Sequence, residues 1–312
     1  MLHSWVFVDY MQICLDWLTT QSKQKHNIVT IIMINKCIMI ILEKLQGMVG
    51  PGNRFKNVAS ALKLAQECHT QVLIEYDTLG LWSIEQPHET MQPWQRYYRT
   101  WSLDFFEESE KNISKLKIDK KIMIWEQHHS SWMPSNDINL QYNNILDNIQ
   151  KHYLEYWNRI NFCSEIIDSV SNQERLFNIS NIVGVTLRTW LEAPSRQNLY
   201  DLNDIIQTME RYTDDFFVCS DSKKAFDDVK DVFGSRVINQ FLDKPSHFEQ
   251  YDRDHCKNLY IDALLLGKCK TIIASYMSTF PEWAWWMGNC QANVIVPLPK
   301  IIQPYYDGQI YF

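Results

Sequence analysis

The sequence predicts an α/β fold with two Rossmann-type domains that face a central cleft. The chain has 312 residues, more than the roughly 100 to 200 residues of an average domain. Short apolar runs alternate with amphipathic segments, in one block before and one block after about residue 164. Strands that alternate with helices form parallel sheets with right-handed crossovers. We therefore expect an N-terminal domain over residues 36–163 and a C-terminal domain over residues 164–312.

The first block begins with the apolar run 37–42, which leads into a glycine-rich turn at 47–52. Apolar residues at helical spacing follow over 58–65, and a second strand is predicted over 71–75, around the apolar residues 72–74. This order is typical of a strand, a tight turn, a helix and a second strand. Further predictions are a helix over 90–118, a strand over 121–125 and a helix over 139–157.

The second block repeats the alternation. The predicted helices cover 164–174, 198–211, 223–232, 255–268 and 282–287, and the predicted strands cover 182–188, 215–219, 236–238 and 271–275. Ligands of such sheets bind beyond the carboxyl ends of the strands. We therefore expect the functional site in the loops that follow Leu45, Arg188, Cys219 and Ser275.

Net charge and cysteine content limit the classes of partner and the cell compartment that we expect. The formal net charge is −7, which argues against a nucleic-acid partner or an anionic membrane surface, because both require clustered Lys and Arg. The eight cysteines include no C-x-x-C pair. They predict reduced thiols and an intracellular, cytoplasmic protein.

The N-terminal segment is predicted to lie outside the core. Asp9 and Asp16 interrupt the region in which a signal peptide would have an apolar core. Asn35 and Lys36 divide the apolar stretch 28–42, so neither half approaches the roughly 20 residues that span a bilayer. We therefore expect no membrane anchor. We expect residues 1–35 to be an extension outside the core, and residues 1 to about 32 to be dispensable.

Three segments carry the chemistry of the predicted site. The turn at 47–52 leads into Asn53 and Arg54, and the strand 184–188 ends in Arg188. The helix over 255–268 places Asp262 in an otherwise apolar stripe, and the strand after it ends shortly before Ser278 and Thr279. Each segment therefore puts polar side chains beside a strand end or a helix start.

These segments resemble the nucleotide site of the fucosyltransferase-like superfamily, which includes α-1,2-, α-1,6- and protein O-fucosyltransferases. Residues 47–61 resemble its G-x-x-G-N-[RQ] turn, residues 184–190 the strand that ends in H-x-R-R-x-D, and residues 259–280 its nucleotide-binding helix and strand. The similarity spans about residues 37–290. In the second motif Thr186 replaces the His, Thr189 the second Arg and Leu191 the Asp.

The resemblance implies a GT-B-like fold and an inverting, metal-independent transfer. The donor would be a GDP-sugar, most directly GDP-fucose, acting as a co-substrate without any further cofactor. The acceptor would be a hydroxyl of a glycan or glycoprotein. The resemblance implies that Thr186, Arg188 and Asp221 bind the donor, together with Asp262, Ser278 and Thr279.

Arg188 is the residue expected to meet the diphosphate, because a guanidinium fork binds phosphate oxygens in a bidentate manner without a metal. The alternative is a surface arginine near a strand end. Asp262 is expected to meet guanine, because one carboxylate accepts from both N1–H and the exocyclic amine. The alternative is a carboxylate that caps a neighbouring loop.

Ser278 and Thr279 are expected beside the diphosphate, where a helix start offers hydroxyl and backbone N–H groups. Either residue is alternatively a simple N-cap, and the same alternative applies to Asp221. The resemblance places Gly52, Asn53 and Arg54 on the sugar or acceptor side. The alternative there is that the glycines only permit a tight turn.

The general base is the least defined residue. Inverting transfer needs a carboxylate or histidine near the acceptor hydroxyl, and Glu192 is the nearest acid by position, with Glu75 and Asp77 as rivals. His128 and His129 are adjacent on an expected strand, so their side chains point to opposite faces and do not form a metal site.

Two other functions remain open at this stage. A glycine turn followed by Glu75 resembles the dinucleotide fingerprint of an NAD-dependent oxidoreductase, although Phe55 stands where its last glycine belongs. The altered second motif is also compatible with a non-catalytic nucleotide- or glycan-binding relative.

Overall fold

The computed structural model of the chain describes residues 30–31, 40–42, 50–67, 72–74, 78–86, 98–100, 142, 147–191, 197, 199–243, 251–276 and 278–297. These residues belong to two compact units. One unit contains the strands of a first sheet, and the other contains a second sheet with the helices around it. The boundary between residues 163 and 164 stays a prediction.

The described strands are β1 (Thr30–Ile31), β2 (Ile40–Leu42), β3 (Val72–Ile74), β4 (Trp82–Ile84), β5 (Tyr98–Thr100), β6 (Ile160–Phe162), β7 (Val183–Leu187), β8 (Phe216–Ser220), β9 (Thr271–Ile273) and β10 (Asn293–Ile295). The described α-helices are α1 (Pro51–Glu67), α2 (Asp147–Trp157), α3 (Ser164–Phe177), α4 (Leu202–Met209), α5 (Lys223–Phe233), α6 (Arg253–Lys268) and α7 (Thr279–Met287).

The first sheet has the strand order β1-β5-β2-β3. Strand β2 pairs in parallel with both β3 and β5. Helix α1 connects β2 to β3, begins with a proline at the position that tolerates one best, and buries Val58, Ala59, Leu62 and Ala65. The predicted strand–turn–helix–strand order is confirmed where the structure describes it. The predicted strand at 121–125 lies outside the described residues.

Two predictions are wrong in this sheet. Tyr98–Thr100 is a strand within the predicted helix 90–118, because pairing with β2 outweighs a spacing of aromatic residues that fits a helix. Thr30 and Ile31 pair antiparallel with Arg99 and Tyr98. These two residues of the predicted extension 1–35 therefore belong to the sheet.

The second sheet is parallel throughout, with the order β10-β9-β7-β8. Its apolar residues pack against α4 and α5, and the resulting core includes Val185, Val218, Met209 and Phe226. The predicted helices and strands of the second block are confirmed here, with one exception. The antiparallel pair of β4 and β6 and the strand β10 were not predicted from the sequence.

The exception is the predicted strand 236–238. Gly234–Arg236 is a 3-10 turn, and Val237 forms only an isolated bridge to Phe216. The side-chain amide of Asn239 takes the place of further strand pairing. It accepts from the N–H of Val218 at 2.9 Å and donates to its carbonyl at 2.8 Å.

Helices α6 and α7 approach closely because glycines stand at their contact. A Cβ atom added to Gly267 would overlap the carbonyl of Ala284, and one added to Gly288 would overlap the backbone of Gly267. At its other end α6 is joined to α3 by hydrogen bonds from Arg253 and Lys257 to Glu165, which lower the pKa of Glu165 to about 2. Both contacts fix α6 against its neighbours.

Within the described residues, no helix is long and apolar enough to cross a membrane. The cysteines in the described part of the chain are free thiols; they are Cys163, Cys219, Cys256, Cys269 and Cys290.

Gly267→Ala is expected to lower the free energy of unfolding, although alanine favours a helix over glycine by about 1 kcal/mol. The added methyl group overlaps α7, and overpacking of this kind costs about 1 to 3 kcal/mol. Thermal unfolding measures the change. Gly50→Ala is the control, since nothing lies within 4 Å of its added Cβ. If Gly267→Ala is as stable as the parent or more stable, α6 and α7 leave room for a methyl group and do not contact each other through Gly267.

Candidate functional site

The carboxyl ends of three neighbouring parallel strands meet at one edge of the second sheet. Leu187 of β7 pairs with Ser220 of β8, and Val185 pairs with Ile273 of β9. The residues that follow these strands therefore lie side by side, as expected for the ligand edge of a parallel sheet. They include Arg188, Asp221 and Ser275.

Asp221 connects the end of β8 to the segment after β7. Its carboxylate accepts from Nη1 of Arg188 at 2.5 Å. It also accepts from the backbone N–H of Thr189 at 3.0 Å and from the Thr189 hydroxyl at 2.9 Å. The helix N-cap alternative for Asp221 is wrong, because Ser222 is the N-cap of α5 and accepts from the N–H of Ala225.

Ser275 holds the same segment from the opposite side. Its hydroxyl accepts from the backbone N–H of Arg188 at 2.9 Å and donates to the carbonyl of Thr186 at 2.5 Å. Its own N–H donates to the hydroxyl of Thr186 at 2.8 Å. The loop after Ser275 was predicted from the sequence, but a role for Ser275 itself was not. Thr186 is buried within β7, one residue before the strand ends, and its contact with a nucleotide stays a prediction.

Trp190 is a second residue that the sequence analysis missed. The guanidinium carbon of Arg188 lies 4.5 Å from the centre of its ring, a distance at which a cation is attracted to an aromatic face. Trp190 has a φ of 56°, which is unfavourable for a residue with a side chain. In the sequence, the one sign of this arrangement is that Trp190 stands two residues after Arg188.

The first turns of α1 and α7 meet beside these strand ends. Ser278 is the buried N-cap of α7, although its side chain makes no capping hydrogen bond, and Thr279 is the first helical residue. A Cβ atom on Gly52 would lie 2.5 Å from the carbonyl oxygen of Thr279. Gly52 and Thr279 were predicted for opposite sides of the site, and the structure brings them into contact. Backbone N–H groups at helix starts bind anions.

Below these first turns, the two helices are joined by buried side chains. The ring of Phe55 stacks on Trp283 at 4.7 Å with an interplanar angle of 7°. Nζ of Lys56 lies 3.7 Å from Oε2 of Glu282, with side chains only 6% and 7% exposed. Arg54 is half-buried on the same turn of α1, whereas the side chain of Asn53 lies outside the described residues.

Three further groups have pKa values that burial raises and that charged residues of this site also affect. Burial raises the pKa of Tyr251 to about 12, while the positive charge of Arg188 opposes the rise. Burial raises the pKa of Cys256 to about 11, and Arg54 opposes it. Burial also raises the pKa of Tyr200, and the charge of Asp221 adds to the rise. None of the three was predicted.

Asp262 lies in the middle of α6 and is half-buried. At 1.5 Å per residue it stands ~14 Å along the axis from the first residue of the helix. Its neighbours Leu259, Leu265 and Leu266 are buried, as the apolar stripe predicted. Its contact with guanine stays a prediction.

Several predicted residues lie outside the described part of the chain. These are Glu192, the rival bases Glu75 and Asp77, and the pair His128 and His129. Among the described residues, no group of three or more His, Cys, Asp or Glu side chains is arranged to hold a metal ion.

No protein-family model matches the chain, and no curated protein matches it in sequence. Among solved structures, it is similar to the fucosyltransferase NodZ from Bradyrhizobium, with a TM-score of 0.46, 16% identity and coverage of 80% of this chain and 92% of NodZ. It is also similar to Arabidopsis thaliana FUT1 in complex with GDP, with a TM-score of 0.47, 14% identity and coverage of 81% and 69%. For POFUT1 in complex with GDP, the TM-score is 0.44, the identity 12% and the coverage 84% and 99%. All three of these solved structures are fucosyltransferases.

Lys56→Met is expected to destabilise the protein by about 3 kcal/mol or more, because it removes the ammonium beside a buried carboxylate. Urea unfolding measures the effect. Combining it with Glu282→Gln removes the buried negative charge, so the double variant is expected to be more stable than Lys56→Met alone. A double variant less stable than Lys56→Met would contradict the ion pair.

Proposed function

We propose that the chain is a glycosyltransferase that uses a GDP-sugar donor, with GDP-fucose as the first candidate. The observation that carries the proposal is the position of Arg188. Its guanidinium is held at the carboxyl edge of a parallel sheet by Asp221, and its backbone is bonded to Ser275. The converging first turns of α1 and α7 stand just beyond Ser275, so cationic and N–H groups are available for a diphosphate.

The proposed reaction is an inverting displacement. The acceptor hydroxyl attacks the anomeric carbon, the bond from that carbon to the diphosphate oxygen breaks, and GDP leaves with the bonding electrons. Arg188 neutralises the charge that develops on the leaving phosphate, assisted by Ser278, Thr279 and the N–H groups of α7. Losing one donor of this kind costs about a hundredfold to a thousandfold in rate. No metal is required in this scheme.

The remaining roles follow the motif resemblance. Glu192 is the proposed general base that takes the proton of the acceptor hydroxyl, with Glu75 and Asp77 as alternatives. Gly52, Asn53 and Arg54 stand on the sugar or acceptor side, and a glycan or glycoprotein hydroxyl is the proposed acceptor. Asp262 is the proposed guanine ligand, because its carboxylate accepts from two adjacent donors of that base.

Phe55 gives the oxidoreductase alternative little support. A dinucleotide fingerprint needs glycine at this position so that the helix packs closely on its strand. Here the position holds an aromatic ring that is almost fully buried against Trp82 and Trp283. The close approach that the fingerprint requires is therefore replaced by an aromatic contact.

The first test separates the candidate functions by thermal unfolding with GDP, UDP, ADP or NAD. A ligand at a hundred times its dissociation constant stabilises the native state by about 2.7 kcal/mol, which raises the melting temperature by several degrees. We expect a shift with GDP, little with the others, and no change on adding EDTA. A response to UDP alone would remove the guanine assignment, and a response to NAD alone would favour the oxidoreductase. Sugar transfer or slow hydrolysis of GDP-fucose would then exclude a binding-only relative.

Asp262→Asn is expected to weaken the preference for guanine, because the amide places a donor opposite a guanine donor. Calorimetry would compare the affinity for GDP with that for inosine diphosphate, which lacks the exocyclic amine. Hydrogen bonds to charged groups contribute about 1.5 to 3 kcal/mol, so we expect the preference for GDP to fall about tenfold. Asp254→Asn, an exposed change on the same helix, is the control. An unchanged preference in Asp262→Asn would remove Asp262 from the base site.

A further inference from the structure

Strand β8 has an ion-paired carboxylate near each end. Asp214 precedes the strand and pairs with Lys270 at 2.7 Å, and Asp221 follows it and pairs with Arg188 at 2.5 Å. Their side chains are 29% and 20% exposed. The two pairs are similar in chemistry and exposure, but only Asp221 stands at the carboxyl edge of the sheet.

The bonds of Asp221 are directed at one short segment. Both of its carboxylate oxygens lie within 3.1 Å of the Thr189 backbone nitrogen, and Oδ1 also accepts from the Thr189 hydroxyl. Oδ2 accepts from the guanidinium of Arg188. The backbone and the charged side chain of the segment are therefore held by the same carboxylate.

A second contact fixes the guanidinium from another direction, since it lies over the ring of Trp190. The backbone of Trp190 is in the left-handed region, a conformation that persists only where surrounding contacts impose it. The hydrogen bonds that Thr189, the residue immediately before Trp190, donates to Asp221 supply such contacts. Arg188 thus has both its direction and its stacking surface set by groups on two neighbouring strand ends.

We propose that Asp221 is a positioning residue that acts through Arg188, rather than a direct ligand of the donor. The inference rests on the proposed function. A carboxylate repels a diphosphate, and the oxygens of Asp221 already accept several hydrogen bonds. It holds the guanidinium in the orientation that a phosphate oxygen needs. The Arg188 side chain then loses less conformational entropy when the donor binds and reacts.

The first experiment is a double-mutant cycle with Arg188→Ala, Asp221→Ala and both together, measured as GDP-fucose transfer. Asp221→Ala is expected to lower kcat/KM about tenfold to a hundredfold, in line with the loss of a charge-assisted hydrogen bond. In the Arg188→Ala background the same change is expected to cost no more than about twofold. Added guanidinium is expected to restore part of the activity of Arg188→Ala but not of the double variant. An equal cost in both backgrounds would overturn the proposal.

Asp214→Ala is the matched control, because it breaks the ion pair at the other end of the same strand. We expect it to leave kcat/KM within about twofold of the parent. If Asp221→Ala does not fold, Asp221→Asn replaces it, since the amide oxygen still accepts from Thr189. If kcat/KM falls as much in Asp214→Ala as in the Asp221 variant, Asp221 only stabilises the sheet and does not position Arg188.

A second measurement is independent of the donor. Nuclear magnetic resonance relaxation of the Arg188 Nε–H group reports how restricted the side chain is. We expect a restricted side chain in the parent and in Asp214→Ala, and a mobile one in the Asp221 variants. Unchanged restriction in those variants would overturn the positioning role. If the parent transfers no sugar and binds no GDP, the proposed function fails, while this measurement still decides what Asp221 does.

Discussion

The parallel pairing of β7 with β8 on one side and β9 on the other is the interaction on which the site around Arg188 depends. Strands that run in the same direction end at the same edge, so residues far apart in sequence become neighbours there. Asp221 and Ser275 reach the segment after β7 from the two flanking strands. A shift of one residue in either register would turn these side chains to the other face of the sheet.

Small residues impose a second constraint, because helices approach closely only where a side chain is missing. Gly52 lets the first turn of α1 contact the first turn of α7, and Gly267 and Gly288 let α6 contact α7. Helix α7 is thereby held at its start by α1 and at its C-terminal end by α6. The buried Lys56–Glu282 pair adds an electrostatic requirement to the same contact. The geometry of the site thus depends on packing that lies beneath it.

Sequence patterns predicted the second sheet well because its strands are short apolar runs between amphipathic helices of ordinary length. They failed at Tyr98–Thr100, where aromatic spacing fits a helix and only pairing with β2 decides for a strand. Arg188 was predicted from its motif. The roles of Ser275 and Trp190 were not, because a hydrogen bond across strands and a left-handed backbone leave no signature in local spacing. Asp221 was placed correctly at a strand end, but its partners became visible only in three dimensions.

The side-chain amide of Asn239 affects whether another copy of the chain can add a strand to this sheet. A strand at the border of a sheet presents unpaired N–H and carbonyl groups that serve as a template for another chain. On β8, Asn239 occupies both backbone groups of Val218, and the N–H of Ile238 donates to the carbonyl of Phe216. The border of β8 is therefore closed at these positions by one side chain and a short turn. Intermolecular strand addition, and the aggregation that follows from it, is disfavoured at these positions.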